Sequence, residues 1–481
     1  MPPPLEAPQS ICSFGAARAN VTPPVGIYHR MWGAAAHERS TGVHRPLTAT
    51  AAGIAPVGRP GEGVVLIALD HCLFWDAEMD RLLDAIASKP GVGRDRLLVA
   101  FSHTHAAGLM DVRRADRPGG DLIAPYLADL ADRLAGLVAE ALDRAEPATL
   151  NYATGRCDLA AHRDLFDEVG GRYVCGFHPD GPADDTVLVV RVTAADGRLL
   201  ATMVNYACHP TTLAWENTLI SPDYPGAMRE VVEQATGVPC LFLQGASGEL
   251  GPREGFVGDP AVADRNGRRL GHAALAALEG MPPPRTRFEY AGAVESGAVL
   301  GPWHHAPLDA DRLRALEDWD LERWTVALPY HPDLPTTEAT REDRGRWESE
   351  ERAARERSDA THAAECRAFV ERMDRQLIRL ADLPPGPTFP FEVLIWRTGD
   401  VAWVAVKGEH YQHLQVEIRR RIPAAPILVL TIVNGWQPGY LPAAAAYGKG
   451  IYQAEIAVLA AGSLETLTDE VAARLQKWFP A

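Results

Sequence analysis

Paired cysteines, a leader segment and a long apolar run are all missing from this chain, and each absence narrows its class. The seven cysteines (Cys12, Cys72, Cys157, Cys175, Cys208, Cys240 and Cys366) are scattered, odd in number and form no C-x-x-C pair. That removes a disulfide framework and a zinc ribbon and leaves reduced, mostly buried thiols. The N-terminus, Met1-Pro2-Pro3-Pro4-Leu5-Glu6-Ala7-Pro8, has neither a basic nor an apolar segment, and no run of about 18 apolar residues follows it. A cytoplasmic protein, neither secreted nor inserted in a membrane, is therefore expected. Basic residues are outnumbered, 47 Lys and Arg against 63 Asp and Glu, for a net charge of −16. Nucleic acid and anionic membranes, which need a basic face, are excluded as partners. A small molecule or an oligosaccharide is the expected substrate, and self-association is left open. No H-E-x-x-H or similar compact metal motif is present, nor any internal repeat or low-complexity tract.

What is present is an ordinary globular composition, 47% hydrophobic and 23% charged over 481 residues, enough for a sizeable core. Val64 to Asp70 reads as a buried strand, Asp76 to Ala87 as a helix stopped by Lys89-Pro90-Gly91, and Leu97 to Phe101 as the next strand. A long amphipathic helix follows over Leu122 to Arg144. Val187 to Val192 and Leu199 to Ala207 form a hairpin around Ala195-Asp196-Gly197, followed by a helix (Gly226 to Thr236), a strand (Cys240 to Leu243) and a helix (Ala261 to Leu278). Glu392 to Arg397 and Val401 to Val406 make a second hairpin. A helix (Tyr411 to Arg420), a strand (Ile427 to Val433) and a terminal amphipathic helix (Thr466 to Trp478) complete the chain. The expected fold class is α+β or α/β, with mixed β-sheet layers covered by helices. Between about residues 302 and 390 the chain becomes dense in Arg and Glu and is bracketed by proline, which reads as a helical insertion with a solvated charged face. Residues 14–300 and 390–465 then form the main domain, 302–390 the insertion, and 466–481 a C-terminal helix.

Several apolar strands end in side chains that bind metals. The strand from Leu97 runs into Ser102-His103-Thr104-His105, and the two-residue strand period places His103 and His105 on one face at its end. The first hairpin delivers Cys208-His209-Pro210, the second Gly408-Glu409-His410, and the last strand leads to Gly439-Tyr440. Sheets gather strand ends along one edge, so residues remote in sequence can share a centre there. Two histidines and a carboxylate suit a catalytic zinc that keeps an open position, where the pKa of bound water falls to about 7. Structural alternatives stay open at this point: His103 and His105 packed at a strand end, His209 capping a strand before Pro210, and Glu409 capping or ion-pairing at its helix. The loop from Ile27 to His44, with His29, Trp32, Gly33 and His37, suits a pocket rim as well as any structured loop.

The succession Ala19-Asn20-Val21-Thr22-Pro23-Pro24-Val25-Gly26, Ser102-His103-Thr104-His105, Asn205-Tyr206-Ala207-Cys208-His209-Pro210-Thr211, Ser221-Pro222-Asp223-Tyr224, Gln244-Gly245-Ala246-Ser247-Gly248-Glu249, Gly408-Glu409 and Gly439-Tyr440 resembles the catalytic domain of neutral/alkaline (non-lysosomal) ceramidases, in order and spacing, from about residue 14 to about 465. The resemblance implies a zinc-dependent amidase. It places His103, His209, Glu409 and Tyr440 as zinc ligands, His105 as the histidine assisting catalysis, and Tyr452, twelve residues after Tyr440, as the phenol that polarises the amide carbonyl. The chain departs from the family where Gly251 replaces an active-site serine, so no serine-dependent step is expected. A further departure, the lack of a leader and of a C-terminal immunoglobulin-like domain, is also expected. Lacking a device for sitting on lipid, it is expected to act on a substrate other than ceramide. Hydrolysis of a C–N amide bond is the first expectation; a metal-dependent carbohydrate lyase or hydrolase, and a non-catalytic binding protein, are the alternatives on this scaffold.

Overall fold

The computed structural model describes residues 2–88 and 92–480. Two sheets carry the fold. The larger is built from β1 (Gln9–Asn20), β2 (Thr48–Ala55), β3 (Val64–Leu69), β4 (Leu97–Phe101), β5 (Glu146–Arg156), β6 (Thr186–Ala194), β7 (Leu199–Tyr206) and β8 (Cys240–Gln244), in the order β8-β7-β6-β5-β1-β2-β3-β4. The smaller is β9 (Trp319–Pro329), β10 (Thr388–Thr398), β11 (Val401–Val406) and β12 (Ile427–Leu430), in that order.

Alternation along each strand sets the layers. In β3, Val64, Leu66 and Ala68 face the smaller sheet, while Val65, Ile67 and Leu69 face α1 (Asp76–Ala87) and α2 (Ile123–Asp143). In β11, Val401, Trp403 and Ala405 meet the larger sheet, and Ala402, Val404 and Val406 pack under later helices. The result is helix, sheet, sheet, helix. Strands such as β3, β4, β8, β11 and β12 are covered on both faces, which is why they read as unbroken apolar runs and not as alternating ones. The second half of the outer layer on the larger sheet comes from α3 (Tyr224–Thr236), packed on β8, and α4 (Pro260–Glu279), packed on β5 and β6. At the centre of the sandwich Trp396 and Trp403 stack 5.3 Å apart, both fully buried.

Within the two sheets, parallel pairing occurs at three places, each bridged by a helix: β3-α1-β4, β7-α3-β8, and β11-α7-β12, where α5 (Thr337–Glu356), α6 (Ala360–Ala381) and α7 (His413–Arg421) are later helices of the chain. The first two units occupy opposite edges of the larger sheet. A twist of roughly 20–25° per strand, accumulated over seven steps, turns those edges by about 140–175°, so their carboxyl ends point the same way. The segment after β12 then spans the gap between them. Thr431 N donates to Gln244 O at the end of β8 (3.0 Å), and Asn434 N donates to Val99 O on β4 (2.9 Å).

One expectation needs correction. The 302–390 stretch is helical only in α5, α6 and a six-residue helix at Ala310–Ala315. Trp319–Pro329 is β9, paired along its whole length with β10, and Trp303–Pro307 is a strand paired with Thr286–Tyr290. In β9 the burial alternates, with Val326 and Leu328 inside and Ala327 and Pro329 exposed, a period of two that the Arg and Glu density obscured. The expected Lys89-Pro90-Gly91 stop after α1 lies outside the described residues. The terminal helices are α8 (Tyr452–Glu455) and α9 (Ser463–Trp478). Among the described residues no helix is long and apolar enough to cross a membrane.

Candidate metal centre

The strand rule that placed His103 and His105 on one face does not hold, because β4 ends at Phe101, before either of them. His103 lies in the left-handed region, φ 67°, a conformation uncommon for a non-glycine residue. This turn, not strand geometry, brings the two imidazoles together, with their Nε2 atoms 3.4 Å apart. Strained backbone of this kind concentrates at functional sites.

His103 and His209 come from the two βαβ units at opposite edges of the larger sheet, and each is fixed in the same way. His103 Nδ1 donates to the Cys72 carbonyl at 2.8 Å, and His209 Nδ1 donates to the Ser247 carbonyl at 2.7 Å. Both Nε2 atoms are thereby turned toward a common point. They stand 3.2 Å apart, and Glu409 Oε2 lies 3.3 Å from the first and 2.8 Å from the second. Glu409 sits just beyond β11, in a short parallel bridge with Tyr440. Its second oxygen accepts from Trp436 Nε1. All three side chains are at most 4% exposed.

Three buried Lewis bases at this spacing need a cation among them. Burial opposes the imidazolium at His103, yet the Cys72 thiol and Glu409 hold its pKa well above the ordinary value. His209 is pushed down to about 4 by burial and Arg163. Burial would raise Glu409, but the two histidines hold it well below the carboxylate range. Tetrahedral bonds of about 2.0–2.1 Å place ligand atoms about 3.3 Å apart; two of the observed separations, 3.2 Å and 3.3 Å, match this, and the third, between His209 and Glu409, is shorter at 2.8 Å. The residues fit a divalent ion of the zinc type.

His105 is set to one side, grouping with His103 and Cys72 and not with the other two ligands. Burial, with His103 and His209 beside it, holds His105 well below the usual imidazole range. Trp32, from the loop that precedes β2, packs 5.2 Å from its ring. Tyr440 stacks on His209 with planes 20° apart and centroids 6.4 Å apart. Tyr452, the first residue of α8, lies 6.3 Å from Tyr440, ring to ring, and is 41% exposed. All six side chains expected at the site are therefore in one neighbourhood.

Three contributors carried no signal in sequence. Arg163, buried between the short strands Ala160–His162 and Asp164–Asp167, donates to the Gly248 carbonyl (2.5 Å) and to the Tyr440 hydroxyl (3.2 Å). Burial and Glu409 push the Tyr440 phenol well above its ordinary value, and Arg163 pulls against them. Trp436 orients the carboxylate. Arg379, from α6, lies over the Trp436 ring at 5.7 Å; its charge was expected in solvent, but the residue is 3% exposed. A β-carbon at Gly251 would meet Thr211 Oγ1 at 3.7 Å and Arg163 Cδ at 3.8 Å, so a side chain has room there and glycine is no steric requirement.

No family model matches the chain. The neutral ceramidase of Pseudomonas aeruginosa is 24% identical over 258 residues, a match that spans 50% of this chain and 37% of that protein. The crystal structure of neutral ceramidase from Pseudomonas aeruginosa superposes with a TM-score of 0.65 at 16% identity, over 99% of this chain and 76% of the other. A ceramidase complexed with C2 superposes with a TM-score of 0.64 at 15% identity and the same coverage. The chain is thus similar to a neutral ceramidase in sequence over half its length, and shares the fold of the two ceramidase structures over nearly all of it.

Proposed function

We propose that this chain is a zinc-dependent hydrolase of C–N amide bonds, acting on a small substrate other than ceramide, with His103, His209, Glu409 and Tyr440 as ligands. One observation carries it. Two imidazole nitrogens and a carboxylate oxygen converge within 3.3 Å, with both Nδ1 protons already committed to carbonyls. When bound there, a divalent metal supplies Lewis acidity toward an attacking water and toward the scissile carbonyl. The remaining tasks fall to the chain. His105, beside the ligands but outside their group, takes the proton from the water and passes it to the departing nitrogen. The Tyr452 phenol donates to the carbonyl oxygen as negative charge develops on it. Arg163 steadies the Tyr440 oxygen. All seven cysteines are free, in keeping with a reducing compartment, and we place the enzyme in the cytoplasm.

Metal content by elemental analysis, together with turnover on a panel of N-acyl amides, tests this. His103→Ala is expected to lose the metal. His105→Ala is expected to keep it and to lose turnover about 10²–10⁴-fold. A metal-loaded His103→Ala, or an unsaturated uronate product from an oligosaccharide panel, would overturn the proposal.

A further inference from the structure

A cavity of about 230 Å³ opens beside the centre, walled by Gly33, Phe369, Arg372, Arg375, Arg379 and Tyr452. Two of its walls are neighbours of the residues around the ligands. Tyr452 borders it directly, and Arg379 covers Trp436, the residue that donates to Glu409. Three of its walls are arginines of α6 at positions i, i+3 and i+7, which lie on one helix face where like charges repel.

Their pairing is incomplete. Arg372 reaches Glu455 at 3.1 Å near the surface. Arg375 donates to the Met31 carbonyl, and its Nε is buried without a partner. Arg379 has only the neutral Gln376 Oε1, at 2.9 Å from its Nε, and among the described residues no carboxylate within ion-pair distance. Glu371 also borders the cavity, but its carboxylate is occupied by Arg114 at 2.9 Å and Arg367 at 2.7 Å. A guanidinium cannot escape burial by losing its proton. A buried cation without a counter-ion is strongly destabilising, and such a violation marks a site that function maintains. The planar fork of arginine matches oxyanions in bidentate fashion.

We propose that the cavity binds an oxyanion carried by the substrate, a carboxylate or a sulfate ester, clamped by Arg375 and Arg379 while the scissile bond lies at His103, His209 and Glu409. This rests on the hydrolase function proposed above and assigns its substrate class: an acidic amide. The helical insertion, through α6, then acts as the specificity element.

The test uses thermal melts of the full chain at matched ionic strength with N-acetylglycine, its neutral counterpart N-acetylglycinamide, and sodium sulfate. N-acetylglycine or sulfate is expected to raise the midpoint by about 3 °C or more, as selective binding to the folded state requires, and N-acetylglycinamide is expected to leave it unchanged. Whichever anion gives the shift identifies the charged group. Arg379→Met is expected to melt higher than wild type without ligand, because a buried unpaired charge is removed, and to lose the anion shift. A merely structural arginine would give a lower midpoint. Should Arg379→Met fail to fold, Arg375→Gln decides, with an anion affinity at least about tenfold weaker expected. A response to both glycine derivatives alike, or a shift that survives both substitutions, would overturn the site. Turnover separates the two proposals. Equal kcat/KM on N-acylglycine and N-acylglycinamide sinks the anion site and leaves the hydrolase; an intact anion shift without turnover of any amide does the reverse.

Discussion

His103 and His209 present their Nε2 atoms because a backbone carbonyl holds each Nδ1 proton, so the centre is organised by main chain as much as by side chain. Such outer contacts tune metal affinity. Trp436→Phe removes the indole donor to Glu409 and is expected to weaken metal binding about 10–100-fold, read by competition with a chromogenic chelator; unchanged affinity would make Trp436 only a packing residue. Gly251 calls for the opposite expectation. Thr211 Oγ1 is buried without a partner and lies 3.7 Å from where a β-carbon would stand. Gly251→Ser would give it one, so a neutral or stabilising change of up to about 1 kcal/mol is expected in urea unfolding. A loss of more than about 1 kcal/mol would show that the local packing requires glycine.

Two helices of the three parallel units, α3 and α7, have polar anchors, and these anchors respond differently to substitution. Arg229 of α3 pairs with Asp70 at 2.9 Å and 2.5 Å, both nearly buried, and Asp70 also accepts from Thr48 N at 2.8 Å. Arg229→Met would strand a buried carboxylate, with an expected loss of about 3–5 kcal/mol in urea unfolding. At the start of α7, both oxygens of Glu249 accept from Gln412 N, at 3.0 Å and 2.9 Å. Burial nevertheless pushes the Glu249 carboxyl up to about 8 from 4.5. Between those two values the folded chain holds a proton that the unfolded chain has released, so stability falls as pH rises through the window, by at most about 1.4 kcal/mol per unit. Glu249→Gln is expected to flatten that slope when unfolding is measured at successive pH values from 5 to 8. An unaltered slope would mean that Glu249 is ionised in the folded state.

The centre joins the whole molecule, because its ligands arise from three βαβ units in two sheets. Metal bound only by the folded chain therefore acts as a cross-link between layers, and a chelator is expected to lower the melting midpoint by several degrees, reversibly on adding zinc. His103→Ala should show no such response. A wild-type midpoint indifferent to chelation would remove the cross-link. The placement of α6 belongs to this scale too. Its arginines lie among charges that pair on the surface elsewhere in the insertion, as Arg344 does with Glu348 at 2.9 Å. Only docking against the loop around Met31 and Gly33 distinguishes the three that enter the cavity.

The chain by itself determined the strands, the helices that cover them and the residues at the strand ends, because burial on two faces writes unbroken apolar runs and ligand chemistry admits few residue types. Tyr440 and Tyr452 were legible only through the order and spacing of whole motifs. Tertiary structure decided the rest. Sheet twist carries two edges, far apart in strand order, to one point; a left-handed turn at His103 does what strand periodicity was expected to do; and β9 emerges as a strand because its partner, β10, lies about 70 residues away. Arg163, Trp436 and Arg379 have no local signature, since a buried arginine and a solvated one are spelled alike, and only long-range packing determines which loses its water.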